Sequence, residues 1–149
     1  MRIMAVDPGD KRIGLAISDL SATIANPFRV LVHRQREKDA ESIALFASEN
    51  DVVLIIVGQA LDSEGAATPS SRKAERLAAA IEHFTDVPVK FWDESGSTVA
   101  ARQARIEMGV TRKKRSGHMD DLAATVILQS FLDSFDFRQI RESYMKGKD

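Results

Sequence analysis

At 149 residues the chain fits one domain, and its 44% hydrophobic content is enough for a single buried core. With 21 basic and 22 acidic residues the net charge is −1, so overall charge gives no support to binding a polyanion. The absence of cysteine excludes a disulfide framework and a thiolate zinc site. It agrees with a reducing cytoplasm. Met1–Val6 is too short an apolar opening for a signal peptide, and the longest aliphatic run, Val52 to Val57, falls far below the ~20 residues of a membrane span. A soluble, cytoplasmic protein is expected.

Arg2 to Asp7 is a short apolar run closed by Asp-Pro-Gly, which predicts a buried strand ending in a turn. Arg12 to Ser18 alternates Ile13, Leu15 and Ile17 with smaller residues, as a second strand paired with the first would. Asn26-Pro27 precedes a third strand, Phe28 to Val32. Asp39 to Glu49 has helical spacing, and Val52 to Val57 reads as a strand covered on both faces. Gly58 to Ser71, rich in Gly, Ser, Thr and Pro, predicts a long loop able to close over a ligand. A helix from Arg72 to Phe84 and a short strand from Val89 to Trp92 follow. Ser97 to Met108 reads as a helix stopped by Gly109, and Met119 to Phe135 is the best-patterned helix. The order βββαβαβ followed by helices implies an α/β fold, a mixed five-stranded sheet with helices on both faces. One domain is expected over residues 1–137, with a loose polar tail over 138–149.

Acidic residues fall at the ends of these elements: Asp7 after the first strand, Asp93 and Glu94 after the last, Asp120 and Asp121 at the start of the best helix. At about 100° per residue, Asp120 lies within the apolar stripe of Met119, Leu122, Ala123, Val126, Ile127 and Phe131, and Asp121 lies at its edge. A carboxylate on a core-facing stripe is costly unless a cation or hydrogen bonds compensate. Each acid also has an ordinary explanation. An acid in the first turn complements the helix dipole, Asp-Pro-Gly is common turn chemistry, and Glu94 can simply be solvated. Three at element ends on one sheet fit a shared role better. Converging carboxylates without cysteine suit Mg²⁺ or Mn²⁺, and two such ions ~4 Å apart hold the attacking and leaving oxygens of a phosphodiester in line. Asp7, on the central strand, is expected to bridge them. Arg12 and the run Arg112, Lys113, Lys114 and Arg115 are candidate phosphate contacts, although a solvated basic loop explains the run equally well. His33 and His83 read as surface residues; His118, beside the acids, is a weak candidate for a phosphate contact or proton transfer.

Asp7-Pro8-Gly9-Asp10-Lys11-Arg12-Ile13-Gly14-Leu15-Ala16-Ile17-Ser18-Asp19 resembles the opening motif of the YqgF/RuvX family. Ile56-Val57-Gly58, Asp93-Glu94 with Ser97-Thr98, and Asp120-Asp121-Leu122-Ala123-Ala124 with the following Ile127 to Leu132 resemble its later motifs, in order over nearly the whole chain. The resemblance implies an RNase H-like fold and a metal-dependent nuclease maturing the 5′ end of pre-16S ribosomal RNA. It carries Asp7, Glu94 and Asp120 over as catalytic and metal-binding residues, with pre-rRNA or branched DNA as partner. Two departures stand out. Gln59-Ala60 replaces the usual Leu-Pro, and Ser95 and Gly96 follow Glu94 where an arginine is expected first.

Three other readings remain open. A Holliday-junction resolvase would need a two-fold dimer, whereas no clear extra apolar face marks one and a monomer or weak homodimer is expected. A non-catalytic RNA-binding assembly factor would keep the fold. An ATP-dependent enzyme of related fold would need a second domain that 149 residues do not supply.

Overall fold

The computed structural model of the protein describes residues 1–93 and 119–146, with residues 119–121, 135, 136 and 144–146 described by their backbone alone. Among the described residues are five strands, β1 (Arg2–Pro8), β2 (Arg12–Ser18), β3 (Ala25–Val32), β4 (Val52–Gln59) and β5 (Val89–Asp93). They form one mixed sheet in the order β3-β2-β1-β4-β5. β1 pairs antiparallel with β2 and parallel with β4; β2–β3 is antiparallel and β4–β5 parallel. The described helices are α1 (Arg36–Glu49), α2 (Pro69–Glu82), α3 (Met119–Leu132) and α4 (Phe135–Lys146).

Strand alternation sorts the sheet into two cores. Met4, Val6, Ile13, Leu15, Ile55 and Val57 face α1 and α2. Ile3, Ala5, Ala16, Leu54 and Ile56 face α3 and α4, packing with Ala124, Ile127, Phe131 and Phe137. Burial on both sides explains why β1 and β4 read as unbroken apolar runs. Ala5, Ala16 and Gly58 on the second face leave room for α3 to sit close. A Cβ built on Gly58 would come within 2.6 Å of Ile127 Cδ1. Because the crowded atom is the movable end of a side chain, Gly58→Ala is expected to destabilise the protein by about 1 kcal/mol, read as a fall in the denaturant midpoint at unchanged slope.

Several elements run further than their sequence pattern suggested. β3 begins at Ala25 and takes in Pro27, which an edge strand tolerates; the register shifts between Leu15 and Ala16, opposite Pro27. α1 begins at Arg36, three residues early, and the buried Asp39 in its first turn accepts the Arg34 backbone N–H at 3.3 Å. The long loop shrinks to residues 60–68. β4 extends to Gln59, and α2 starts at Pro69 behind a capping box in which Thr68 Oγ1 accepts the Ser71 N–H at 3.1 Å and the Ser71 hydroxyl accepts the Thr68 N–H at 2.8 Å. Within it, Asp62 accepts from the Glu64 and Ala66 N–H groups at 2.9 and 2.7 Å.

The expectation of a loose tail from Arg138 is corrected, because α4 is helical through Lys146. Among its described side chains the buried one is Phe137, whose ring lies 4.9 Å from that of Phe131. One aromatic set deep in a core fixes a helix whose polar surface otherwise reads as unstructured. The expected helix over Ser97 to Met108 and the basic loop after it lie outside the described residues.

The β2–β3 connection is held by Asp19. Its carboxylate accepts the backbone N–H groups of Thr23 and Ile24 at 2.8 and 3.1 Å and the Ser21 hydroxyl at 2.7 Å. Burial pushes the Asp19 carboxyl up, but the bonds from Thr23, Ser21 and Ile24 together outweigh it and hold it below its ordinary value of 3.8. A depressed carboxyl pKa contributes stability above the unfolded value and loses it as pH falls through the folded one. Asp19→Ala is expected to cost about 1 kcal/mol at neutral pH, since solvent screens so exposed a group. In thermal melts from pH 7 down to 3, its gap from wild type should narrow below pH ~4.

Candidate functional site

β1 is the middle strand, and Asp7 lies near its C-terminal end. Counting from Ile3 and Ala5, alternation puts Asp7 on the α3 face. Its partner on β2 is Gly14, and carrying the β1–β4 register one residue beyond Val6–Val57 sets Gly58 beside it on the other side. Asp7 is thus flanked on both neighbouring strands by residues without side chains. Arg12, exposed at the start of β2, shares this face because it precedes Gly14 by two residues.

The direction of α3 decides which end of it meets this edge. Gln129 Nε2 donates to the Thr23 carbonyl at 3.0 Å, and the Ala25 N–H donates to Gln129 Oε1 at 2.9 Å. These bonds fasten the later part of α3 to the β2–β3 connection, which lies beside the start of β1, where the Ile3 N–H donates to Ser18 Oγ at 2.9 Å. Ile127 packs level with Gly58, near the far end of β4. Asp120, seven residues earlier, lies about 10 Å further along the helix, toward the edge where β1 and β4 end. The N-terminus of α3 and the C-terminal ends of β1 and β4 therefore share one edge of the sheet.

The buried surface of α3 is wider than the predicted stripe, taking in Ala124, Leu128 and Leu132 as well. Both the sheet and Phe137 of α4 cover it. Position 120 shares the helical phase of Ala124, Ile127 and Phe131, the residues on the sheet. The broader arc reaches the phase of position 121, so periodicity separates the two acids less than the sequence pattern did.

On β5, Trp92 pairs with Gly58 and lies on the α3 face; its Nε1 donates to Ser130 Oγ at 3.2 Å and its ring meets Phe131 edge-on at 5.3 Å. Asp93 pairs with Gln59, so alternation puts it on the opposite face from Asp7. Glu94 lies outside the described residues, as do Arg112, Lys113, Lys114, Arg115 and His118. Of the expected residues, the structure places Asp7, Arg12 and the backbone of Asp120 on one face and edge.

A second group was not singled out in the sequence. On the α1/α2 side of the same strand end, His33 Nδ1 and the Asp39 carboxylate meet at 2.5 Å, with Arg36 and Lys73 nearby. Asp39 in the first turn of α1, six residues after a histidine, was the available signal; its burial became visible only with the helix packed.

The sequence profile of the RuvX family, described as Holliday junction resolvase, matches residues 1–134. The chain belongs to the RuvX family. Among its relatives, a protein of Halothermothrix orenii named as a candidate pre-16S rRNA nuclease is 41% identical over 133 residues, covering 89% of this chain and 95% of that one. One of the same name from Thermoanaerobacter pseudethanolicus is 41% identical over 135 residues, covering 90% and 97%. The fold is similar to that of Thermus thermophilus RuvC in complex with a Holliday junction substrate, with TM-score 0.60 at 15% identity over 88% of this chain and 92% of that one. It is also similar to the fowlpox virus Holliday junction resolvase, with TM-score 0.57 at 16% identity over 91% and 100%. This RuvX-family chain is a nuclease of RNase H-like fold, a hydrolase of phosphodiester bonds. No helix among the described residues is long and apolar enough to cross a membrane.

Proposed function

We propose that this protein processes the 5′ end of pre-16S ribosomal RNA in the cytoplasm, using divalent cations, Mg²⁺ or Mn²⁺, held by Asp7, Glu94 and Asp120. The observation that carries this reading is the convergence of the C-terminal end of the central strand and the first turn of α3 on one face of the sheet. The residues fit a hard cation. Asp7 supplies carboxylate oxygen, glycines on both neighbouring strands leave room beside it, and the chain has no thiolate to favour a softer metal. Among the described residues no three acids or histidines gather around one point, and Glu94 and the Asp120 carboxylate fall outside what those residues cover. Of the neighbours Asp93 and Glu94, strand alternation turns Asp93 away from the face of Asp7, which favours Glu94 as the third acid.

A bound cation would polarise the phosphate and lower the pKa of an attacking water. The protein's own part is to hold the strand. Arg12 shares the face of Asp7 and contacts phosphate, and Arg112, Lys113, Lys114 and Arg115 add backbone contacts that make binding salt-sensitive with little base reading. Selectivity then comes from the shape of the RNA. We take the working species to be a monomer or weak homodimer. The family's description favours a second substrate, a four-way DNA junction. Cleavage of a precursor spanning the 5′ end of 16S rRNA and of a four-way junction, each with Mg²⁺, Mn²⁺ or chelator, tests both. Metal-dependent cutting of the precursor is expected. Cutting confined to the junction would replace the RNA reading, and tight RNA binding without turnover would mark a non-catalytic assembly factor.

A further inference from the structure

Behind the turn that follows Asp7, on the α1/α2 side of the sheet, lies a cavity of about 150 Å³ walled by Pro8, Gly9, His33, Arg36, Asp39 and Lys73. We propose that it binds a phosphate group of the nucleic-acid strand, at a position along the backbone from the one that is cut; this rests on the nuclease reading above.

Asp39 is 2% exposed, and a buried carboxylate requires partners. It accepts from His33 Nδ1 at 2.5 Å and from the Arg34 backbone N–H at 3.3 Å. A carboxylate only accepts, so Nδ1 carries a proton in this contact, and Nε2 donates to a phosphate oxygen when the ring is in its doubly protonated form. Arg36, the first residue of α1, brings a planar guanidinium suited to phosphate oxygens. Lys73 is held by Asp10, whose side chain is 96% exposed, so the pair can part at little cost when a competing anion arrives. The hydrophobic floor, Ile13 and Leu77, keeps such contacts from being fully screened.

Position supports a strand rather than a lone anion. The cavity starts at Pro8, the residue after Asp7, and the two lie on opposite faces of the same strand end. A strand crossing the sheet edge at Asp7 passes over the Pro8–Gly9 turn and reaches this cavity next.

The test uses the full chain carrying Asp7→Asn, in chelator, so that binding is read without cleavage. The probes are a single-stranded RNA of about eight nucleotides, a nucleoside monophosphate and inorganic phosphate. Adding Arg36→Gln and Lys73→Gln is expected to weaken RNA binding about tenfold at ~0.1 M salt and to lower the slope of log affinity against log salt by about 1.4, two charges at ~0.7 each. The His33 ring signals in NMR should shift on titration with RNA. Unchanged affinity and slope in a variant that melts like its parent, or silent His33 signals, would overturn the proposal. So would His33 signals that respond to the monophosphate or to inorganic phosphate but not to RNA, which would mark a small-anion site. If the wild-type chain cleaves with Mg²⁺ while these binding tests fail, the nuclease reading stands and only this one is lost.

Discussion

Asn in place of Asp7 is expected to slow phosphodiester cleavage by about 10³-fold or more, with the thermal midpoint within a few degrees of wild type. Asn matches Asp in size and keeps one carbonyl oxygen, so packing between Gly14 and Gly58 changes little. What disappears is the negative charge, the property a divalent cation requires of a ligand on this strand. Loss should appear in kcat more than in KM, because the substitution leaves Arg12 and the other proposed strand contacts unchanged. Cleavage at the wild-type rate by the variant would end the assignment of Asp7. A midpoint that collapses would show instead that the carboxylate is a structural partner in the fold.

Gly9→Ala is expected to have the next largest effect, lowering cleavage about 10²-fold together with a loss of stability of about 2 kcal/mol. A Cβ at position 9 would lie 2.3 Å from the carbonyl oxygen of Arg12. That atom belongs to the backbone, so no rotamer change relieves the contact and the turn itself must open. The turn joins the end of β1, with Asp7, to the start of β2, with Arg12. Opening it moves a candidate cation ligand and a candidate phosphate contact relative to each other. Gly58→Ala offers the contrast, since there the added methyl meets the flexible end of Ile127. A Gly9→Ala enzyme that cleaves like wild type would show that the turn does not position the site.

Many residues of the opening motif hold the fold together. Ser18 accepts the Ile3 N–H and Asp19 organises the β2–β3 connection, while Gly14 faces Asp7 and Ala16 faces Ala5 beneath α3. In the last helix, Gln129 ties α3 to that connection through two bonds spanning more than a hundred residues. A linear pattern does not separate these roles, because a residue that bonds across the fold looks the same in sequence as one that meets substrate.

From the linear pattern alone came the five strands, their order along the chain, the two-sided burial of β4 and the placement of acids at element ends. Alternation and helical periodicity are local properties, and each strand's apolar run records how many faces it buries. The remainder came from packing between distant segments. The run of α3 against β1 follows from the Gln129 and Ile127 contacts. The opposite faces of Asp7 and Asp93 follow from register across three strands. The docking of the last polar segment as a helix involves Phe137, buried in a distant core. The pairing of His33 with a buried Asp39 follows from α1 and α2 closing over the sheet. Each depends on contacts between residues far apart in the chain, where burial changes what a charge or ring requires of its neighbours.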